Sequence, residues 1–178
     1  MQYSNVYLIG PMGAGKSSVG KKLALLLKMN YIDIDEAIEQ TTGVSIGWIF
    51  EREQESGFRL REAHMIEILT QRNNMVLSTG GGAVLLPSNR RCLRQTGVVV
   101  YLKATLSSQL ARSLYFKNKR PLLAGEDPEQ KLRALFETRQ PLYEEIAHYS
   151  IETDHKSIHT IARLIAKKIK NHPPLPCL

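Results

Sequence analysis

The chain has 178 residues and 24 lysines and arginines against 17 aspartates and glutamates, a formal charge of +7; that length suits one domain, burying roughly 70% of its unfolded surface without cross-links. Two cysteines in no C-x-x-C pair, Cys92 and Cys177, exclude a disulfide framework or zinc ribbon and point to a reducing compartment, and apolar runs too short for a bilayer, with a strand starting directly after Asn5, leave no room for a span or signal peptide, so the chain reads as cytoplasmic. The positive charge favours anionic ligands, but it is dispersed, and its densest group, Arg90, Arg91 and Arg94, lacks the interleaved aromatics of a nucleic-acid surface and reads as a solvated helix face.

In chain order, the apolar run Val6–Ile9 predicts a first strand, Gly10-Pro11-Met12-Gly13-Ala14-Gly15-Lys16-Ser17 a glycine loop, and Ser18–Leu27 a helix. A loop of the form G-x-x-x-x-G-K-[ST] between strand and helix turns backbone N–H groups inward around phosphate oxygens at the positive end of the helix. Lys16 would reach the β and γ phosphates, and the Ser17 hydroxyl would ligate Mg²⁺. A second strand spans Tyr31–Asp35, followed by helix at Ala63–Gln71, strand at Met75–Thr79, helix at Ser88–Gln95, strand at Val98–Leu102 and helix at Leu106–Leu114. Pro128–Arg139 reads as a further helix, His148–Glu152 as a fifth strand, and Ser157–Lys170 as a closing helix with Ile158, Ile161, Ala162, Ile165 and Ile169 on one face. The tail from Asn171, rich in proline, reads as frayed. Five strands with helical crossovers predict a three-layer α/β/α domain around a parallel sheet, whose ligands lie beyond the carboxyl ends of the strands.

The residues at those ends carry the chemistry. Asp33 and Asp35, two apart on a predicted strand, fall on one face. One could hold the water shell of Mg²⁺ and the other orient or deprotonate an attacking hydroxyl, while a cap on a helix starting near Glu36 is the plainer role for Asp35. Thr79-Gly80-Gly81-Gly82 would let backbone approach a carboxylate, a hydroxyl or a γ-phosphate. Arg59, Arg120 and Arg139, each beside turn residues, read as anion clamps.

Together these segments resemble the shikimate kinase family. The likeness runs from about Val6 to about Thr160 through the glycine loop, Asp33-Ile34-Asp35, Trp48-Ile49-Phe50, Gly57-Phe58-Arg59 with Glu62, Thr79 to Gly82, Arg120-Pro121-Leu122-Leu123, Arg139-Gln140-Pro141-Leu142-Tyr143 and Thr153-Asp154. The resemblance implies a P-loop kinase fold with strand order 2-3-1-4-5 and transfer of the ATP γ-phosphoryl to the 3-hydroxyl of shikimate, with ATP and Mg²⁺ as cofactors and a monomeric enzyme. It implies that Gly13, Ala14, Gly15, Lys16, Ser17 and Ser18 hold ATP, Ser17 and Asp33 the metal, and Asp35 the substrate hydroxyls as candidate base. Arg59, Gly80, Gly81, Gly82 and Arg139 would hold shikimate, with Glu62 orienting Arg59. Arg120 would be a lid arginine that serves both ATP and catalysis, in a lid over about 113–125, and Arg112 with the turn after Thr153 would form the adenine wall. One domain over 1–178 follows, with about 33–62 as its substrate-binding segment and about 171–178 as a flexible tail. Gln54 stands where the family commonly has glycine, in a turn read as lying outside the chemistry. His155 and His159 share a helix face without the glutamate of a zinc motif and read as solvated. Two further readings stay open, a related small-molecule kinase acting on gluconate and a nucleotide switch or nucleic-acid-associated P-loop protein.

Overall fold

Alternation along the strands assembles the two faces of the sheet. In β1 (Asn5–Ile9) and β4 (Val98–Lys103), Val6, Leu8, Val98, Val100 and Leu102 enter one apolar cluster, and Tyr7, Ile9, Val99 and Tyr101 enter the other. A strand with both sets buried must have helices on both faces. In the computed structural model, which describes residues 5–114 and 128–173, they are supplied by α1 (Lys16–Leu27) and α7 (Ile158–Lys170) on the first face. On the second lie α3 (Ile46–Thr70), α4 (Pro87–Thr96) and α6 (Pro128–Ile146), with α2 (Ile34–Thr42) packed beside α3. The remaining elements are β2 (Asn30–Asp33), β3 (Met75–Ser78), α5 (Leu106–Leu114) and β5 (Tyr149–Glu152). All pairings are parallel, in the order β2-β3-β1-β4-β5. The expected order and layering are therefore the observed ones.

Three local expectations give way. The second strand stops at Asp33, and Ile34 and Asp35 already belong to α2, because the Asp33 carboxylate accepts the Asp35 N–H at 3.1 Å and caps the helix. The two aspartates thus reach one cleft as a cap and a first-turn residue, not as alternate residues of a pleat, and the cap is Asp33 rather than Asp35. Second, the helix expected at Ala63–Gln71 begins at Ile46 and bends at Gln54, where φ is 59° and ψ −171°. Its charged first half hid its period; Arg61 closes across the bend onto Glu53 at 2.7 and 2.8 Å. Third, α6 does not end at Arg139 but continues through Pro141 to Ile146. An interior proline costs about 3 kcal/mol, whereas Tyr143 and Ile146, 1% and 2% exposed, gain about 1.5–3 kcal/mol each by burial.

In α7, Ile161, Ala162, Ile165 and Ile169 are buried as expected, but Ile158 is 48% exposed. The tail read as frayed from Asn171 is ordered at least to His172, whose Nδ1 lies 2.9 Å from the Tyr149 hydroxyl. The expected lid over about 113–125 begins within the end of α5, and its remainder from 115, with Arg120, lies outside the described residues, as do positions 174–178.

Candidate active site

The carboxyl ends of β1, β2 and β3 open into a cleft of about 760 Å³. Its floor is the glycine loop. Gly10 sits at φ 139° with no room for a Cβ against the Leu102 carbonyl, and Gly15, at φ 87°, is the N-cap of α1. Both are conformations that glycine enters without strain, and together they wrap the loop around the helix N-terminus. Lys16 Nζ donates to the Gly10 and Pro11 carbonyls at 2.8 and 2.9 Å, which places its charge at the loop's mouth. Gly13, Ala14, Ser17 and Ser18 line the same end.

Beside the loop, the Ser17 hydroxyl donates to Asp33 Oδ2 at 2.8 Å. A hydroxyl and a carboxylate in direct contact at the N-terminus of a helix are a hard, all-oxygen donor set of the kind that holds Mg²⁺ with most of its waters retained, and the left-handed Gly15 leaves the loop's N–H groups free of a Cβ's bulk. The residues present thus fit ATP and Mg²⁺. No cluster of three or more histidines, cysteines or acids suited to a metal occurs among the described residues, and His155, at φ 58° in the turn before α7, does not share a helix face with His159 as the spacing suggested.

Across the cleft stand Asp35, Arg59 and Arg139. Asp35 Oδ1 is buried without a hydrogen-bond partner among the described residues. Burial first, and then the charges of Asp33 and Glu62, push its carboxyl up to about 6. Arg59 is gripped from two sides: Nε and Nη2 donate to Glu55 Oε1 at 3.1 and 2.8 Å, and Nη1 donates to Glu62 Oε2 at 2.6 Å. Those bonds take three of the five guanidinium N–H donors and leave two for a ligand. Glu62 is wholly buried, and burial raises its carboxyl above the usual range even with Arg59 and Arg139 nearby. Sequence reasoning found Glu62 but missed Glu55, and it placed the turn at Gln54 outside the chemistry, whereas that bend aims Glu55 at Arg59.

Arg139 is 6% exposed and comes from the middle of α6, not from a turn. Tyr143, one turn further on, donates its hydroxyl to the Gly81 carbonyl and ties this helix to the end of β3. None of Gly80, Gly81 and Gly82 has positive φ. Close approach is what demands glycine here: a Cβ at Gly80 would strike the Glu62 carboxylate, and one at Gly82 the Arg59 guanidinium.

At the far end, Arg112 Nη1 donates to the Gly13 carbonyl at 2.6 Å and its Nη2 lies 3.9 Å from Asp154 Oδ1. The cleft wall there is shared with Thr153, Lys156 and Ile158. Lys156 carries no sequence signal of its own, and Phe50, although part of the Trp48-Ile49-Phe50 segment, was not among the expected site residues.

A sequence model of the shikimate kinase family matches residues 12–170. The chain belongs to the shikimate kinase family. The shikimate kinase of Acinetobacter baumannii (strain AYE) is 51% identical over 93% of this chain and 91% of its own, and that of Halorhodospira halophila is 50% identical over 96% of each. A solved structure of shikimate kinase from Acinetobacter baumannii in complex with shikimate superposes with a TM-score of 0.92, at 49% identity over 95% of this chain and 94% of that one. As a member of the shikimate kinase family, the chain is an ATP-dependent kinase that uses Mg²⁺ and phosphorylates the 3-hydroxyl of shikimate. The P-loop kinase fold with strand order 2-3-1-4-5 agrees with that membership. Among the described residues no helix is long and apolar enough to cross a membrane.

Proposed function

We propose that the family's reaction is divided among the residues of this cleft as follows. The backbone N–H groups from Gly13 to Ser18 and the Lys16 ammonium hold the donor phosphates, Arg112 and the wall from Thr153 to Ile158 hold the base, and Ser17 and Asp33 hold Mg²⁺. When bound, Mg²⁺ supplies neutralisation of phosphate charge. The two remaining donors of Arg59, the Arg139 guanidinium and the backbone at Gly80 to Gly82 take the acceptor's carboxylate and ring.

Asp35 receives the 3-hydroxyl. Its buried Oδ1, without a hydrogen-bond partner among the described residues and lying between the phosphate loop and the arginine pair, is the observation that carries this division. A carboxylate oxygen kept dry, beside two carboxylates that disfavour its charge, is poised to accept a hydrogen bond from an alcohol and to take its proton as the oxygen attacks. Because the transition state of phosphoryl transfer is loose, most of the benefit of Asp35 is alignment of that oxygen, with Lys16 meeting the charge that develops on the transferred group. Phe50 and Phe58, their rings 4.9 Å apart, wall the acceptor side with apolar surface. Arg120, outside the described residues, completes this proposal as a lid arginine. The protein acts as a monomer in the cytoplasm, to be checked by analytical ultracentrifugation and cell fractionation.

The test is ATP-dependent turnover on shikimate, its methyl ester, quinate and gluconate. Shikimate should be preferred and the ester used poorly, since it keeps the ring hydroxyls but loses the anion. Equal use of acid and ester would remove Arg59 and Arg139 from the acceptor site, preference for gluconate would move the chain to the related kinase, and binding of ATP without transfer to any alcohol would favour the switch.

A further inference from the structure

Tyr31 and Asp33, two apart on β2, point to the same face of the sheet, the face covered by α1. There the Tyr31 hydroxyl donates to Asp33 Oδ2 at 3.1 Å, on the same oxygen that receives the Ser17 hydroxyl at 2.8 Å. The phenol ring has little freedom to leave. It lies in a notch that α1 opens at Gly20, where a Cβ would come within 2.6 Å of the ring and 2.8 Å of the buried Ser78 hydroxyl, and Lys21 Nζ lies 5.6 Å from the ring centroid.

A carboxylate offers about four lone-pair sites. Among the described residues three are in use on Asp33: one by the Asp35 N–H on Oδ1 and two on Oδ2 by Ser17 and Tyr31. One site on Oδ1 remains for the hydrogen of a water in a metal's shell. Rotation of the Asp33 carboxylate to any other orientation would break bonds to two different elements, α1 and α2, and to its own strand.

We infer that Tyr31 is a positioning residue for the metal site, holding the Asp33 carboxylate in the orientation that meets a metal-bound water, through a hydroxyl that phenylalanine would lack while filling the same space. The inference rests on the reading of Asp33 given above. It makes Tyr31 part of the machinery by way of Asp33 alone, since the phenol itself reaches neither substrate.

The experiment is a double-mutant cycle of Tyr31→Phe and Asp33→Asn, reading Mn²⁺ binding to the ADP-loaded protein by electron paramagnetic resonance, with Tm and the KM for shikimate alongside. Tyr31→Phe should weaken Mn²⁺ binding about tenfold, as loss of a partner behind a metal-site carboxylate does, with Tm and the KM for shikimate unchanged. In the Asp33→Asn background the same change should cost nothing further, because the hydroxyl then has no carboxylate to hold. If Tyr31→Phe binds Mn²⁺ like the parent while Asp33→Asn does not, or if it lowers Tm and its cost is additive in the cycle, Tyr31 is a packing residue and the inference falls while the reading of Asp33 stands. If Asp33→Asn itself binds Mn²⁺ like the parent, the metal reading of Asp33 falls and takes the inference with it.

Discussion

Gln54 occupies φ 59°, ψ −171°, a region that is essentially reserved for glycine and costs other residues on the order of 1–3 kcal/mol. Gln54→Gly should therefore stabilise the protein by about 1 kcal/mol after the extra chain entropy of glycine is set against the relieved strain, a rise of about 2–4 °C in Tm for a domain of this size, read by calorimetry. A fall in Tm would mean that the bend is held without strain. At Arg59 and Arg139 the sharper residue-scale effect is on turnover. Lysine keeps the charge but loses the planar fork, so Arg59→Lys and Arg139→Lys should each lower kcat/KM for shikimate by roughly ten- to a hundredfold, from about 1.5–3 kcal/mol per hydrogen bond to a charged group. Arg59→Lys also surrenders the two-sided grip of Glu55 and Glu62, so its loss should be the larger of the two. Steady-state kinetics showing a change in the KM for ATP alone would contradict both.

At the scale of elements, the seam between β4 and β5 contains a titratable bond. His148, just before β5, donates its N–H to the Val99 carbonyl at 2.9 Å and accepts the Val99 N–H on ring Nδ1 at 3.0 Å. The ring thus does the work of a backbone carbonyl in lengthening the pairing, and it can do so only while Nδ1 is unprotonated. Burial, then the charge of Arg94 and the neighbouring His172, lower its pKa from 6.5 to about 4. A folded pKa below the unfolded one means that the unfolded chain binds more protons between these values, so stability is full above about 6.5 and falls as the pH drops toward 4. The half-open ring limits the loss to about 1–2 kcal/mol, less than the whole shift would give. Denaturant titrations from pH 7 to 4 should show it, and His148→Asn, which keeps an acceptor but does not titrate, should flatten the profile. A parent and variant with the same slope would place the acid sensitivity elsewhere. The elements also explain why the acceptor site comes from distant stretches: α3 brings Arg59, Glu55 and Glu62, α6 brings Arg139, and both pack on the face of β1 that carries Tyr7 and Ile9.

For the whole molecule, β1 is the hinge of the design, with both faces buried and the glycine loop at its carboxyl end. Because the Lys16 ammonium meets carbonyls at the loop's mouth and not the apolar core, Lys16→Met should leave the unliganded Tm unchanged while removing the charge that meets the transferred group, so activity should drop by orders of magnitude. Ligand linkage adds a second readout. A nucleotide at 100 times its Kd adds about 2.7 kcal/mol of stability to the folded state, and in Lys16→Met much of the resulting Tm rise should vanish. An unchanged nucleotide-induced rise together with parental turnover would exclude the loop from the mechanism.

How much was legible beforehand follows from range. The glycine loop, the alternating apolar strands, the acids of Asp33-Ile34-Asp35 and the triple glycine announce themselves locally, because phosphate binding, sheet burial and close backbone approach each demand particular residue types within a few positions. Sequence alone was therefore enough for the parallel sheet, the nucleotide loop and most of the residues that line the cleft. It could not show that Asp33 ends its strand by capping α2, that Glu55 shares Arg59 with Glu62, or that α6 runs through Pro141 to bury Tyr143 and Ile146. Those outcomes were decided by tertiary structure, because each weighs a local preference against burial or a charged partner that only folding brings within reach: a pleat against a cap, a lone surface arginine against a paired one, a proline against an apolar core.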